Sequence, residues 1–173
     1  MKKEILEWIK TIVVSVVIAL VITTFIRPTL VKGESMYPTL HEYDYLIINK
    51  IPYMMHNPEK GDIVVFQSHL LTEDGKEKDL IKRVIGVEGD QIKVKDGDVF
   101  VNGQKLDESY INGDYTSGEI DMKVPKDMVF VMGDNRLNSL DSRDESVGPV
   151  DIHTIRGKVL VRLYPFNTIG KVY

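Results

Sequence analysis

Apolar positions are laid unevenly along this chain. Residues 11–26 (TIVVSVVIALVITTFI) carry no charge, and extending the segment back to Trp8 gives 19 residues with Lys10 as the sole charged side chain. As a helix that stretch is about 28 Å long, close to the ~30 Å hydrocarbon core of a bilayer. Twelve of the 16 residues in 11–26 are β-branched, a composition that favours a strand in water. In lipid a lone strand leaves its amides and carbonyls unsatisfied, so the pattern predicts a transmembrane helix over 8–26, stopped by Pro28.

Beyond Pro28 no helical period persists. Short β-branched or aromatic runs at 45–48, 62–66, 80–87, 91–94, 99–101, 128–132 and 158–163 are bounded by turn residues and predict strands. Asp96-Gly97 and Asn102-Gly103 are dipeptides that accept positive φ and close tight hairpins. The charged stretch 69–79 (HLLTEDGKEKD) predicts a solvated surface loop. The expected fold is mainly β: a tail (1–7), a transmembrane anchor (8–26), and one antiparallel domain of sheets or a barrel over 27–173.

Charge refines this division. Three of the 22 cations and two of the 26 anions lie in the first 26 residues, so the rest of the chain stands at −5 against −4 for the whole. Lys2, Lys3 and Lys10 favour a cytoplasmic N-terminus, which puts the β domain on the outer side. A cleaved signal would need small residues just past the apolar run, whereas the run ends in Phe25-Ile26-Arg27-Pro28 and only a poor Val31-x-Gly33 pair follows. An acidic body argues against nucleic acid as a partner. With no cysteine there is no disulfide or thiolate chemistry, and His41, His56, His69 and His153 have no metal-ligand spacing.

Three clusters carry candidate chemistry. Ser35 sits between Gly33 and Pro38, a bent stretch suited to exposing a hydroxyl beside its own amide. On a strand over 80–86, Leu80, Lys82 and Val84 share one face while Ile81, Arg83 and Ile85 share the other. A lysine among apolar neighbours is desolvated, and its lowered pKa makes it a possible general base near neutral pH; a snorkelling or carboxylate-paired lysine is the plainer alternative. Residues 133–143 (GDNRLNSLDSR) form a dense polar loop behind an apolar run. No S-x-x-K, G-x-S-x-G or phosphate-loop pattern occurs.

Taken in order behind an N-terminal anchor, Ser35-Met36-x-Pro38-Thr39-Leu40, Gly61-Asp62-Ile63-Val64, Lys82-Arg83-x-Ile85-Gly86 and the 133–143 box resemble the type I signal peptidases of bacteria. The resemblance spans nearly the whole chain. It implies the mainly β signal peptidase fold and a serine endopeptidase of the bacterial plasma membrane. That enzyme cuts signal peptides from secretory preproteins after small residues (Ala-x-Ala), with its catalytic domain outside the cell. By the same resemblance Ser35 is the nucleophile, Lys82 the general base, and Ser139 the hydroxyl that orients the lysine. Asp134, Asp141 and Arg143 brace the loop, and the Ser35 amide serves the oxyanion. No metal or cofactor is implied; the partners are preproteins and membrane lipid. Apolar walls for the substrate are sought among Leu30, Val31, Met36, Leu80, Ile81 and Val84. Tyr37, Tyr43, Tyr45 and residues 51–55 suit either the membrane surface or the core. Gly33 and Leu137 depart from the family pattern, which has a hydroxyl residue at the first position in some members and an aspartate at the second in many. A silent peptide-binding module and a self-cleaving regulator of the same fold are the competing readings.

Overall fold

Residues Lys2–Phe25 form one helix, α1, in which β-branched side chains do not prevent helix formation. The hydroxyls of Thr11, Thr23 and Thr24 donate to carbonyls three or four residues earlier, so the apolar stretch hides its own polar groups. Lys3–Phe25 is long and apolar enough to cross a membrane; an 18-residue stretch of it has a mean hydropathy of 2.4, and none of that stretch is buried inside the protein. The structure, a computed structural model, describes residues 2–111, 113 and 115–173, and the side chains among them except those of Lys2, Val21, Ile22, Met54 and Met55.

The chain passes from α1 straight into strand β1 (Ile26–Leu30), so Pro28 lies within a strand. This is tolerated because β1 is the edge of its sheet, where a missing amide hydrogen interrupts no ladder. The predicted runs become β2 (Tyr45–Asn49), β3 (Ile63–Leu71), β4 (Glu77–Gly86), β5 (Gln91–Lys95), β6 (Asp98–Val101), β9 (Met128–Met132) and β11 (Ile155–Tyr164). Between them lie a one-turn helix α2 (Pro52–Met55) and the short strands β7 (Gln104–Lys105), β8 (Ile120–Lys123) and β10 (Val150–Asp151). Strands β1, β7, β8 and β10 are too short, polar or proline-bearing to stand out in the pattern.

One seven-stranded sheet runs β1-β2-β11-β3-β4-β9-β10, and a four-stranded sheet runs β7-β6-β5-β8. All pairings are antiparallel. Asp96-Gly97 and Asn102-Gly103 have positive φ at both positions and close the β5–β6 and β6–β7 hairpins. The stretch 69–79 is corrected by the structure: strands β3 and β4 continue through it as a projecting hairpin whose turn is tied by Thr72 and Lys76. Its charges face water from a ladder rather than from a loop.

The two sheets share a core. Ile85, Phe130 and Met132 of the large sheet pack with Ile92, Val94, Val99, Val101 and Val124 on and beside the small one. Gly86 is what permits the approach, because a Cβ there would stand 2.4 Å from Ile92 Cδ1. Two further clusters cover opposite faces of the large sheet, one around Leu46, Ile48, Ile63 and Val65, the other around Val64, Phe66, Leu80 and Val84.

Candidate active site

Ser35 lies on a tight turn that begins just past β1. Gly33 takes φ +83°, the Tyr37 amide donates to the Glu34 carbonyl, and the Leu40 amide donates to the Met36 carbonyl. Met36 and Leu40 are buried in the core, so this pair pins the turn from below while Ser35 stays half-buried at its top.

Lys82 approaches from β4. It pairs across the ladder with Val64 and shares its face with Leu80 and Val84, as the period of two requires. The side chain is 2% exposed. Its Nζ is 2.6 Å from Ser35 Oγ and 3.0 Å from the Ile81 carbonyl. Burial strips water from the ammonium and brings the pKa down to about 8, although the Asp141 carboxylate pulls the other way. Above that pH the amine is mostly neutral and carries a lone pair within hydrogen-bonding distance of the Ser35 hydroxyl.

The third cluster closes the site. Gly133 is a close-approach position: a Cβ there would stand 2.2 Å from Ser139 Oγ and 2.3 Å from the Ser35 carbonyl oxygen. The Asn135 amide donates to that same carbonyl at 3.0 Å, and Asn135 Nδ2 donates to the Glu34 carbonyl at 3.1 Å. Asn135 therefore clamps the turn that carries Ser35, a role that the sequence reading missed; its only signal was its place in the polar box.

Asp141 accepts from the Gly133 amide at 2.9 Å and from Arg143 in a two-pronged pair. Burial pushes its carboxyl up, but these donors more than offset that and hold it below the ordinary range. Asp134 makes the matching pair with Arg83, at 2.8 and 2.7 Å, on the face of β4 opposite Lys82. Arg136, also missed, is buried and donates to the Gly133 carbonyl at 3.0 Å. In the 61–64 box, Gly61 and Asp62 exchange backbone hydrogen bonds with Val84, which registers β3 against the lysine strand.

Ser139 lies close by, yet its hydroxyl makes no hydrogen bond of normal geometry; its dipole helps hold Asp141 ionised. The expected contact to Lys82 is thus not made, and the Ile81 carbonyl orients the amine in its place. Among the described residues the Ser35 amide donates to no protein acceptor, so it remains available to an oxyanion.

Beside the dyad β4 has an open edge. Strand β9 pairs with β4 only from Arg83 onward, so residues 77–82 have β3 on one side and, among the described residues, no strand paired on the other. Of the apolar side chains expected to wall this cleft, Val31, Met36, Leu80 and Val84 are buried in the core clusters, whereas Leu30 is exposed and Ile81 half-buried. Tyr53 packs inward and donates to Asp62 at 2.7 Å, and the Met54 and Met55 side chains lie outside those described.

Residues 5–164 match the protein family described as signal peptidase, peptidase S26. The chain is 41% identical over 186 residues to signal peptidase IB of Staphylococcus aureus strain COL, covering 96% of this chain and 93% of that protein. It is 38% identical over 182 residues to signal peptidase I S of Bacillus subtilis strain 168, covering 98% and 95%. A crystal structure of a signal peptidase I from Enterococcus faecalis V583 aligns with a TM-score of 0.49 at 29% identity, over 60% of this chain and 97% of that one.

Proposed function

This chain belongs to the signal peptidase family, peptidase S26, and from that premise we propose that it removes signal peptides from secretory preproteins, cutting after Ala-x-Ala with Ser35 and Lys82 as its dyad. The observation that carries the reading is the 2.6 Å contact between Ser35 Oγ and a lysine amine that burial has brought toward neutrality. In this mechanism Ser35 Oγ attacks the scissile carbonyl carbon while its proton passes to Lys82 Nζ. The Ser35 amide supports the oxyanion. Collapse breaks the C–N bond, and the Lys82 ammonium gives its proton to the departing amine. The neutral lysine then takes a proton from water, which attacks the ester and releases the signal peptide as a carboxylate.

The open edge at 77–82 suits an extended substrate added as a further strand. Next to it Leu30 and Ile81 supply accessible apolar surface. In this reading α1 spans the plasma membrane with its lysines on the cytoplasmic side, and the β domain works outside. Lipid is also met by a row of exposed side chains. Leu30, Tyr45 and Tyr164 are neighbours across β1, β2 and β11, and Phe166 meets Tyr164 edge to face at 5.4 Å. Strand β1 is only five residues long and leaves the helix directly, so the row begins within about 17 Å of the helix end.

The test uses the full-length protein in lipid vesicles with a preprotein carrying an Ala-x-Ala site. Mass measurement of the products is expected to place the cut directly after the second alanine. Ser35→Ala and Lys82→Ala should each lower the rate by about 10³-fold or more while leaving the circular dichroism unchanged. Wild-type rates from either variant would remove the dyad assignment, and binding without a cut by the intact protein would favour a silent module.

A further inference from the structure

Arg83, Arg136 and Arg143, which brace the 133–143 loop, also touch one other segment, through Glu108, Tyr110, Thr116 and Ser117 between β7 and β8. Arg136 donates to both Glu108 carboxylate oxygens and, at 3.0 Å, to Thr116 Oγ1. Arg143 Nη1 donates to the Ser117 carbonyl at 3.0 Å. The Arg83 guanidinium lies 4.0 Å from the Tyr110 ring centre, Arg136 lies 5.9 Å from it, and the Tyr110 hydroxyl donates to Glu108 at 3.1 Å. The Glu108–Arg136 pair is almost wholly buried, the arginine fully so. Nothing in the contact between Ser35 and Lys82 itself calls for these groups. Their reach is indirect: Arg136 Nε holds the Gly133 carbonyl, and Gly133 is the residue whose Cα lies against the Ser35 carbonyl and Ser139.

We propose that Glu108 and Tyr110 are positioning residues for the Ser35/Lys82 reaction, locking Arg136 and Arg83 and through them the 133–135 backbone that seats the nucleophile's turn. The inference rests on the reading of Ser35 and Lys82 as a catalytic dyad. A buried carboxylate opposite a buried guanidinium has one low-energy arrangement, so it transmits the position of one loop to another with little slack. The Tyr110 ring, flanked by two guanidinium groups, fixes the same register by cation–π attraction. Glu108, Tyr110, Thr116 and Ser117 thereby couple the small sheet to the catalytic geometry without touching substrate.

The full-length protein, its Glu108→Gln variant and a milder Tyr110→Leu variant that keeps the ion pair decide the matter by two measurements. Amide exchange at Gly133 and Asn135 is expected to quicken about tenfold or more in both variants while β5 and β6 keep their protection. With an Ala-x-Ala preprotein, kcat is expected to fall about tenfold with KM within about twofold, because misplaced reacting groups slow chemistry without weakening binding. The acid limb of the rate should stay where it is, since neither residue is among the charges that set Lys82. Tyr110→Phe keeps the ring and should restore kcat. Unchanged exchange at 133–135, or faster exchange with unchanged kcat, overturns the proposal. So does a general loss of protection with the acid limb moving toward the ordinary lysine value. If the wild type cuts no preprotein, the dyad reading fails, and the exchange measurement alone then confirms or overturns the lock on 133–135.

Discussion

With its pKa brought down to about 8 by burial, Lys82 binds a proton less readily folded than unfolded, where the ordinary value is 10.5. Two outcomes follow at the scale of this residue. The cleavage rate should rise with pH through about 8 and fall roughly tenfold per unit well below it, as the base is lost to protonation; a flat profile from pH 9 to pH 5 would contradict a lysine base. Stability should also rise with pH between about 8 and 10.5, the window in which the unfolded chain holds a proton that the native state has lost. Below that window the native state bears the whole penalty, about 3 kcal/mol at ~1.36 per pH unit. Lys82→Met removes it at the cost of the hydrogen bonds to Ser35 and the Ile81 carbonyl, so urea unfolding at pH 7 should show a gain of about 1–3 kcal/mol. That gain should shrink as pH approaches 10.5. The type and neighbours of Lys82 were legible in the alternation of residues 80–86. The Ile81 carbonyl that orients the amine was not, because a backbone acceptor leaves no mark in the side-chain pattern.

Strand β4 shows how an element divides work between its faces. Period-two alternation sends Lys82 to Ser35 and Arg83 to Asp134 on the reverse side, so one strand both supplies the lysine of the proposed dyad and braces the loop beside it. The loop depends on Gly133. Gly133→Ala would force a methyl group into the space held by the Ser35 carbonyl and Ser139 Oγ; a loss of about 1–3 kcal/mol in stability is expected. A fall of ~100-fold in kcat should accompany it, because the turn that carries Ser35 is displaced. Chemical denaturation and preprotein kinetics on the same sample check both. At this scale the sequence was less legible near 69–79. Dense charge read as a loop, yet a hairpin that projects beyond its sheet is wet on both faces and so carries strand geometry without apolar alternation.

For the molecule as a whole, α1 and the exposed row of Leu30, Tyr45, Tyr164 and Phe166 place apolar surface at one edge of the large sheet. Tyr164→Ser with Phe166→Ser should leave hydrolysis of a short soluble Ala-x-Ala peptide within about twofold. It should weaken flotation of the domain with vesicles and slow cutting of a vesicle-bound preprotein by about tenfold, as two amphipathic rings leave the interface. Equal flotation of the variant and the parent would remove this row from the membrane contact. The chain order alone determined an apolar helix long enough to cross a membrane, a mainly β body and hairpins at Asp96-Gly97 and Asn102-Gly103, because each depends on local periodicity or turn chemistry; the pairing of Ser35 with Lys82 was implied only by the resemblance of the ordered boxes to a family. Tertiary structure alone decided that the Asn135 amide clamps Ser35, that Ile81 rather than Ser139 holds the amine, that Val31, Met36, Leu80 and Val84 are core, and that Glu108 and Tyr110 reach the site from another sheet. Apart from the Ile81 carbonyl, which adjoins Lys82, these contacts join segments far apart in the chain, with Asn135 reaching Glu34 across 101 positions, and only the packing of the sheets and their loops brings them together.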